Sequence, residues 1–487
     1  MSVRIPLIAL KLDEKKKIVS ELHFIDETPK YGSSFSYSIN ERKVYYREGK
    51  YVYLPYWYVS NLTKVKSLNS KKAFCKIEKY SFLYTLRPHQ KEIVEIALRH
   101  FKEHGTTTLN LFCSFGKTVV AYYLSCLFAS KLSLSTMIVV PPNGLFLTMW
   151  LNSAKEAVDA KYIHVFKSGS DPPPKNTQIY IAMKGSLTSI PTSILQRIGH
   201  LVLDEAHLLC SQIAFNQILR ISPRYITILT ATWERTDGFH KGMEAICGPH
   251  KIKKISTKPF YVFKINTPFI PTNYKMTSRG KMWCDVQKKY DEMPDRVDGV
   301  IKLIMSNLSR KILVLTRHAD HVERLEKILE SKKVKVVSMY GKKKSYKDAN
   351  VIVGTMSKLG VGFDEKNVCL NWDGVRISLL ILDASTKKIE QYAGRSFRSE
   401  TPVIFHLVDN FKNNKDHWGI CGKWYIERNG VIIPHEWGTP LVLDEVLPEI
   451  IKQTCEWIRK GESLIITSDK DEIEKQEFFE ELLALSL

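Results

Sequence analysis

Short apolar runs alternate with stretches of helical periodicity from about Leu86 to Phe260. The predicted strands of this part are Leu109–Phe112, Met137–Val140, Ile179–Met183, Leu201–Leu203 and Ile226–Leu229. The predicted helices are Gln90–Phe101, Thr118–Ala129 and Leu145–Ala157. Short, wholly apolar strands between helices are typical of a parallel sheet that is covered by helices on both faces.

A second series of the same kind starts near Lys311. Its predicted strands are Ile312–Leu315, Val334–Ser338, Asn350–Val353, Val368–Asn371 and Val403–Val408. A polar connector with two turn-forming strings separates the two series over residues 268–298. The pattern therefore predicts two α/β domains, at residues 81–267 and 299–410.

The two ends of the chain depart from this pattern. Residues 1–80 contain strand-like segments such as Tyr51–Pro55, and they predict a small β-rich module. Its tyrosines and Trp57 could stack on bases, but the core of a small sheet is the favoured interpretation. Residues 411–487 form an extension that ends in an acidic helix. The predicted fold class is α/β, with two tandem parallel-sheet domains, an N-terminal β-rich module and a C-terminal helical extension.

Composition places the chain among globular proteins. The apolar fraction of 44% and the charged fraction of 25% are ordinary for that class. No segment reaches the roughly 20 apolar residues of a membrane span, so we expect no membrane partner. The N-terminus lacks the features of a secretion signal. The nine cysteines are scattered without metal-ligand spacing, so we expect reduced thiols, no zinc and a cytoplasmic location.

The chain is strongly basic, with a formal net charge of +21 at pH 7. The charge is uneven, because the residues from Asp444 onward include 12 acidic and 5 basic side chains. A positive field over the rest of the chain favours a polyanion such as nucleic acid. A lysine-rich surface from an AT-biased genome is the alternative, and charge alone does not separate the two.

A phosphate-binding loop is indicated by Gly116-Lys117-Thr118, which follows an apolar strand and opens a helix. In that setting the backbone amides and the helix N-terminus face the phosphates. We expect Ser114 and Gly116 to shape the loop, Lys117 to reach the phosphates and Thr118 to bind Mg²⁺. Leu111 stands where the general pattern has its first glycine.

A carboxylate pair completes this interpretation. Asp204 and Glu205 directly follow the apolar run Leu201–Leu203. Two adjacent acids at a strand end repel each other, and a metal ion relieves that repulsion. Asp204 is therefore a candidate Mg²⁺ ligand, and Glu205 is the candidate base that positions the attacking water. Together the two strings predict hydrolysis of a nucleoside triphosphate, with ATP and Mg²⁺ as cofactors.

Further strings, in chain order, resemble the motifs of superfamily 2 helicases of the DEAH-box type. They are Leu86–Gln90, Met137–Pro142 with Trp150, Thr230-Ala231-Thr232, Leu313–Thr316, Gly354-Thr355 with Gly360–Asp364, and Gln391–Arg398. The resemblance spans roughly residues 83–410 and implies two RecA-like domains. It implies that Gln90 recognises adenine and that Asp364 belongs to the nucleotide site. It also implies that Thr230, Thr232 and Gln391 couple hydrolysis to movement, and that Arg395 and Arg398 act as arginine fingers.

One string resembles a single branch of that superfamily. Thr230–Gly238 is similar to the Thr-Ala-Thr-Pro-x-Arg-x-Asp-Gly string of the XPB-like helicases, with Trp233 in place of the proline. That branch includes helicases of large nucleocytoplasmic DNA viruses, among them the poxviral transcript-release helicase. The resemblance implies handling of duplex DNA, in viral-type transcription or in replication and repair, in a host cytoplasm or a virion.

Contacts to a nucleic-acid strand are expected at turns that flank these motifs. The candidates are Pro141, Asn143, Thr316, Arg317, Thr355 and Gly360. Such contacts track a phosphate backbone without reading sequence, so DNA is favoured only by the resemblance and RNA stays open.

Two other functions remain open at the level of sequence. One is an ATPase subunit of a transcription or packaging assembly, with the acidic C-terminal tail docking a partner; removal of residues 444–487 would then spare basal hydrolysis. The other is a non-catalytic nucleic-acid binder with a degenerate phosphate loop. Leu111 and Ser114 suggest it, because both stand at positions where glycine is usual.

Overall fold

The computed structural model describes residues 2–26, 41–63, 80–112, 115–142, 144–167, 171–230, 233, 237–254, 258–277, 280–360 and 363–460. The chain divides into two compact units, Met1–Lys254 and Ile255–Leu487. The sequence-predicted residues Ser114, Asn143 and Thr232 lie outside the described residues, as does the end of the acidic tail.

The first unit contains the strands β1 (Ser2–Pro6), β2 (His23–Ile25), β3 (Glu41–Lys43), β4 (Tyr46–Glu48), β5 (Tyr51–Pro55), β6 (Thr106–Leu111), β7 (Ser135–Val140), β8 (Ile163–Phe166), β9 (Ile179–Met183), β10 (Ile198–Leu203), β11 (Tyr225–Thr230) and β12 (Lys251–Lys254). Its helices are α1 (Leu12–Glu21), α2 (Tyr56–Thr63), α3 (Pro88–His104), α4 (Lys117–Leu132), α5 (Gly144–Ala157), α6 (Thr192–Leu195), α7 (Gln212–Leu219) and α8 (His240–Cys247).

A parallel sheet of seven strands forms the centre of this unit, in the order β12-β6-β11-β10-β7-β9-β8. All six residues of β7 and of β10 are buried, as expected for central strands that are covered on both faces. Because the strands are parallel, the residues after β6, β10 and β11 emerge at one edge of the sheet. That edge carries the phosphate loop and the carboxylate pair.

The N-terminal β-rich module is present as an antiparallel sheet in the order β1-β5-β4. It is joined to the first unit rather than separate from it. Val44 and Tyr56 are fully buried in the apolar core beneath the large sheet, and the Ser2 hydroxyl donates to the carbonyl of Leu219.

The second unit contains the strands β13 (Phe260–Thr267), β14 (Met276–Thr277), β15 (Gly280–Lys281), β16 (Ile312–Thr316), β17 (Val336–Met339), β18 (Val351–Thr355), β19 (Leu379–Leu382), β20 (Val403–Asp409) and β21 (Gly430–Glu436). Its helices are α9 (Trp283–Glu292), α10 (Pro294–Met305), α11 (Ala319–Ser331), α12 (Met356–Leu359), α13 (Glu365–Val368), α14 (Ile389–Ala393), α15 (Lys412–Ile426) and α16 (Leu443–Lys460).

This unit is also built on a parallel sheet of seven strands, in the order β17-β18-β16-β19-β20-β13-β21. A buried polar cluster closes its carboxyl edge. The fully buried guanidinium of Arg296 donates to Asp383 at 2.6 Å and to Asp409 at 2.9 Å, so it ties α10 to the ends of β19 and β20.

Four sequence-based assignments differ from the structure in this unit. The predicted boundary at residue 267 assigns β13 to the first domain, but β13 pairs with β20 and β21 in the second sheet. The connector 268–298 contains α9 and the start of α10. The run 368–371 is not a strand; it begins at the last residue of the short helix α13, and Cys369 forms an isolated bridge with Tyr346. Strand β21 extends the second domain into the segment predicted as an extension.

Helix α16 is also part of the second unit rather than a detached tail. Leu443 and Leu447 are buried in the core of this unit. The backbone N–H of Leu443 donates to the Asn307 side chain at 2.9 Å. Removal of residues 444–487 therefore removes the core residue Leu447. The prediction that this segment is only a docking element takes no account of that burial.

Candidate active site

The phosphate loop joins β6 to α4 in the first unit. Gly116 has a left-handed backbone conformation, with φ of 94°, and a Cβ at this position would collide with the Gln90 amide. The Lys117 ammonium donates to the carbonyl oxygens of Leu111 at 2.8 Å and Phe112 at 3.2 Å. Lys117 and the half-buried Thr118 are the first two residues of α4, where helix amides face outward.

The amide of Gln90 fixes the start of α3 to this loop. Its Oε1 accepts from the backbone N–H of Arg87 at 3.0 Å, and its Nε2 donates to the carbonyl of Phe115 at 3.2 Å. Gln90 is almost fully buried. The structure therefore brings Gln90 to the loop, while its role in adenine recognition stays a prediction.

Asp204 lies directly after β10, at the same sheet edge. One carboxylate oxygen, Oδ2, accepts from the indole N–H of Trp150 at 2.7 Å, and the other, Oδ1, accepts from the backbone N–H of Glu205 at 3.0 Å. Burial and the charge of Glu205 raise the pKa of Asp204 to about 7, against the opposing effects of Trp150 and Lys117. A buried carboxylate with a raised pKa is a group that a cation would stabilise.

Glu205 adopts a strained backbone conformation beside Asp204. Its φ is 45°, which is uncommon for a residue with a side chain and recurs at functional sites. The side chain is partly exposed, and its Oε2 lies 3.4 Å from Nδ1 of His207. The strained turn points the two neighbouring acids along different directions, so Asp204 is buried while Glu205 can meet solvent.

His207 links the carboxylate pair to the neighbouring strand. Its Nδ1 lies 3.1 Å from the hydroxyl of Thr230, the last residue of β11. Thr230 is one of the three predicted coupling residues, of which Thr230 and Gln391 are described. Its role in coupling stays a prediction. Sequence reasoning gave His207 no role, although the string Asp204–His207 placed it three residues from the metal-ligand candidate.

The donors at this edge are carboxylate and hydroxyl oxygens, which are the kind of ligand that Mg²⁺ takes. Within the described ranges, no group of three or more histidine, cysteine or acidic side chains could hold a metal ion. Magnesium needs no such cage, because it keeps several waters and takes one or two carboxylates together with substrate phosphates. Asp204 and the Thr118 hydroxyl stay the predicted Mg²⁺ ligands.

In the second unit, the motif arginines are engaged by local partners. Arg395 donates to the carbonyls of Phe363 at 2.7 Å and Gly360 at 2.8 Å. Arg398 forms ion pairs with Asp364 and Glu365, each at 3.2 Å. These contacts hold the two predicted arginine fingers within one cluster, and their catalytic role stays a prediction.

Asp364 is the centre of that cluster. Burial alone would raise its pKa, but Arg398 and Arg376 lower the pKa of this carboxyl below its usual value. Its Oδ1 also accepts from the backbone N–H of Lys366 at 3.0 Å, which caps α13. Gln391 is half-buried on α14. The assignment of Asp364 to the nucleotide site stays a prediction.

The predicted strand-contacting residues of the second unit lie together at the carboxyl edge of its sheet. Thr316 and Thr355 end the neighbouring strands β16 and β18 and are directly paired. A cavity of about 480 Å³ opens beside them, and its lining includes Arg317, Ser357, Lys387, Lys388, Trp283 and His417. Gly360 ends α12 close by in the chain, and in the first unit Pro141 follows β7.

Two basic residues of this cavity were missed at the level of sequence. Lys387 and Lys388 follow β19, directly before α14. Their position after a buried strand and before motif-like residues is the signal that could have identified them. With Arg317 they give the cavity a positive lining that suits a phosphate backbone.

Two kinds of sequence comparison relate this chain to known proteins. Residues 83–235 match the family described as type III restriction enzyme, res subunit. The chain is 31% identical over 350 residues to "Putative helicase 055L" of Frog virus 3, which covers 68% of this chain and 75% of that protein. It is 25% identical over 376 residues to "Putative helicase 161L" of Invertebrate iridescent virus 6, and this match covers 71% of this chain and 82% of that protein.

The fold also matches that of a solved structure. S. cerevisiae Dbp5 bound to RNA and ADP BeF3 superposes with a TM-score of 0.51 at 14% identity, covering 76% of this chain and 97% of that chain. The two parallel sheets are thus tandem RecA-like domains. The helicase-named relatives give the class of the protein, a nucleic-acid-dependent ATPase. Within that class, the chain belongs to the superfamily 2 helicases, in the same family as the Frog virus 3 protein.

Among the helices in the described part of the chain, none is both long and apolar enough to cross a bilayer.

Proposed function

We propose that the protein is an ATP-dependent DNA helicase or translocase, in which hydrolysis of ATP drives movement along a DNA strand. The observation that carries the proposal is the buried carboxylate of Asp204, held by Trp150 on one oxygen and by the Glu205 amide on the other. Such a fixed, desolvated acid beside Lys117 serves a metal–nucleotide complex better than it serves the stability of the fold.

Each side chain of the site has a proposed task. Lys117 leaves the carbonyls of its own loop and binds the terminal phosphates. Asp204 and Thr118 hold Mg²⁺, which when bound supplies positive charge to the phosphate oxygens. Glu205, which is partly exposed on its strained turn, orients and deprotonates the attacking water. His207 carries the change at Glu205 to Thr230.

Nucleic acid is proposed to lie over the carboxyl edge of the second sheet, on Arg317, Lys387 and Lys388. The formal net charge of +21 supports a polyanionic partner. The preference for DNA rests on the XPB-like string Thr230–Gly238, and it would place the protein in viral-type transcription, such as transcript release, or in replication and repair. A host cytoplasm or a virion is the proposed location.

RNA is the second candidate substrate, because the Dbp5 structure holds RNA on the same fold. Strand displacement separates the two. Labelled duplexes of DNA and of RNA with single-stranded tails are incubated with the protein and ATP, beside Glu205→Gln as the inactive control. Displacement of the DNA duplex by the wild type alone supports the proposal; displacement of RNA alone would replace it with an RNA helicase.

Failure to displace either duplex, with ATP hydrolysis intact, would favour the assembly subunit. A partner of the transcription or replication machinery would then have to supply productive engagement with the strand.

A further inference from the structure

A second cavity, of about 550 Å³, lies at the carboxyl edge of the second sheet and contains two tryptophans. Trp418 on α15 and Trp437 after β21 both line it. It opens over the ends of β20, β13 and β21, which are neighbours in the sheet. None of the motif-like strings includes its residues, so neither the sequence motifs nor the proposed function accounts for it.

Both indoles are fixed by their surroundings. The Trp437 ring meets Phe269 edge to face at a centroid distance of 5.4 Å, and its backbone N–H donates to the carbonyl of Asn266 at 3.1 Å. It also packs on Gly299 of α10, where a Cβ would collide with the ring. Trp418 meets His406 edge to face at 5.0 Å. The aromatic walls are therefore formed before any ligand arrives.

The polar lining of the cavity suits a nucleotide. Lys264 and Lys415 provide positive charge, and the ammonium of Lys264 lies 5.4 Å from the centre of the Trp418 ring. Asn410 and Asn266 provide amide groups that pair with base edges. Glu436 accepts from Nδ2 of Asn266 at 3.1 Å and keeps acceptor capacity for an amino group of a base.

Helix α15 connects this cavity with the one beside Arg317. His417 lines the first cavity and Trp418 lines the second. Consecutive helix residues point about 100° apart, so the two cavities lie on adjacent sides of α15. Strands β19, β20 and β13 are consecutive, so β13 lies about 10 Å from β19 along the sheet edge. A strand that leaves the first cavity can reach the second within a few nucleotides.

We propose that the cavity between Trp418 and Trp437 binds a base of the single strand that the protein holds, with Lys264 and Lys415 on the adjoining phosphates. This inference rests on the proposed function and names a contact site for the same strand beyond the helicase motifs. Stacking on aromatic rings tolerates any base, because every base has a π face. The site would therefore add affinity without sequence preference.

The test measures binding of a fluorescent single-stranded oligodeoxythymidine to the full chain and to Trp418→Ala and Trp437→Ala. Each substitution should weaken binding about tenfold, which corresponds to about 1.4 kcal/mol. Trp418→Phe and Trp437→Phe keep an aromatic face and should bind close to the wild type. Trp372→Ala removes a half-buried tryptophan of the same unit that does not line the cavity, and it should bind normally.

Gly299→Ala supplies a variant without any change to the lining. The added methyl displaces the Trp437 ring, so this variant should also bind more weakly. Equal affinity of Trp418→Ala, Trp437→Ala and the wild type, with unchanged thermal melting, would overturn the inference.

A photocrosslink keeps the inference testable if the alanine variants do not fold. An oligonucleotide with 5-iodouracil is irradiated on the wild-type protein, and the modified peptides are identified by mass spectrometry. Modification of Trp418 or Trp437 supports the site. Modification only of peptides around Arg317 or Lys388 would overturn it while leaving the proposed function intact.

Competition with a free mononucleotide shows whether the cavity binds a base of the strand or a free nucleotide. A free mononucleotide that abolishes the Trp418 and Trp437 crosslinks, without weakening binding of the strand, would show a free-nucleotide site and overturn the inference. Absence of any strand binding or nucleic-acid response by the wild type would instead contradict the proposed function itself.

Discussion

The indole N–H of Trp150 donates to Oδ2 of Asp204 at 2.7 Å, and both side chains are buried. Trp150 is itself held in place on α5, because its carbonyl accepts from the Tyr122 hydroxyl at 2.7 Å and the two rings meet edge to face at 5.3 Å. The orientation of the candidate metal ligand is thus set by a residue 54 positions away in sequence. Because the carboxylate cannot rotate, its oxygens are already oriented before a cation binds.

The first prediction concerns this contact. Trp150→Phe removes the N–H but keeps most of the ring, so the pKa of Asp204 should rise further and Mg²⁺ should bind more weakly. Loss of such a supporting hydrogen bond typically costs about 10–100-fold in metal affinity or activity. The measurement is ATP hydrolysis as a function of Mg²⁺ concentration.

Trp57→Phe is the matched control, because Trp57 packs on His104 and His250 away from the carboxylate pair. The same Mg²⁺ dependence in Trp150→Phe and the wild type would show that the indole does not support the metal ligand.

The second prediction separates binding of ATP from its hydrolysis. Glu205→Gln should lower turnover by about 10²–10⁴-fold, because the amide cannot accept a proton from water. It should still bind ATP, since Lys117 and Asp204 are unchanged. Lys117→Ala should lose both turnover and tight ATP binding. Binding of a fluorescent ATP analogue and steady-state hydrolysis are measured on the same preparations, and full turnover by Glu205→Gln would remove Glu205 from the role of base.

The third prediction concerns acid stability of the first unit. Burial lowers the pKa of His200 to about 3, between the hydroxyls of Thr136 and Thr227. In the unfolded chain this histidine binds a proton near pH 6.5, whereas in the folded protein its imidazole stays neutral until the pH approaches 3. The free energy of unfolding should therefore fall as pH drops below about 6.5, by up to about 1.4 kcal/mol per pH unit for this group.

His200→Gln keeps a polar group between the two threonines and removes the titration. Its thermal midpoint should depend less steeply on pH between about 6.5 and 4 than that of the wild type. Parallel profiles for the two proteins would contradict the assignment.

The fourth prediction concerns helix α16. Leu447→Ala should destabilise the second unit by about 2–5 kcal/mol, because this leucine is buried in the core. Deletion of residues 444–487 should prevent folding of this unit, because it removes Leu447. Deletion of residues 461–487 keeps every described residue of that core and should leave the unit folded. Denaturant unfolding followed by tryptophan fluorescence measures all three. Glu449→Ala, an exposed position on the same helix, is the control and should be neutral.

The sequence predicted the architecture well where local patterns decide it. Met137–Val140 and Ile226–Leu229 are strands because wholly apolar runs between helices suit a buried parallel sheet, and Gly116-Lys117-Thr118 opens a helix as its spacing requires. The apolar pattern of Phe260–Thr267 suits a buried strand of either sheet, so only its pairing with β20 assigns it to the second.

Contacts between distant residues were outside the reach of sequence patterns. Nothing near Trp150 in the chain indicates Asp204 as its partner, and nothing near Trp418 indicates Trp437. These pairs form because helices return to the edge of a sheet after long intervening segments. The chemistry of a site is thus visible in short strings, whereas the groups that orient it come from the fold.

The measurement that tests the central claim most directly is ATP hydrolysis by the purified protein, alone and with single-stranded DNA, duplex DNA or RNA, beside Lys117→Ala. A nucleic-acid-driven motor predicts low basal turnover, strong stimulation by DNA, and no activity in the variant under any condition. Hydrolysis that no nucleic acid changes, or that persists in Lys117→Ala, would contradict it.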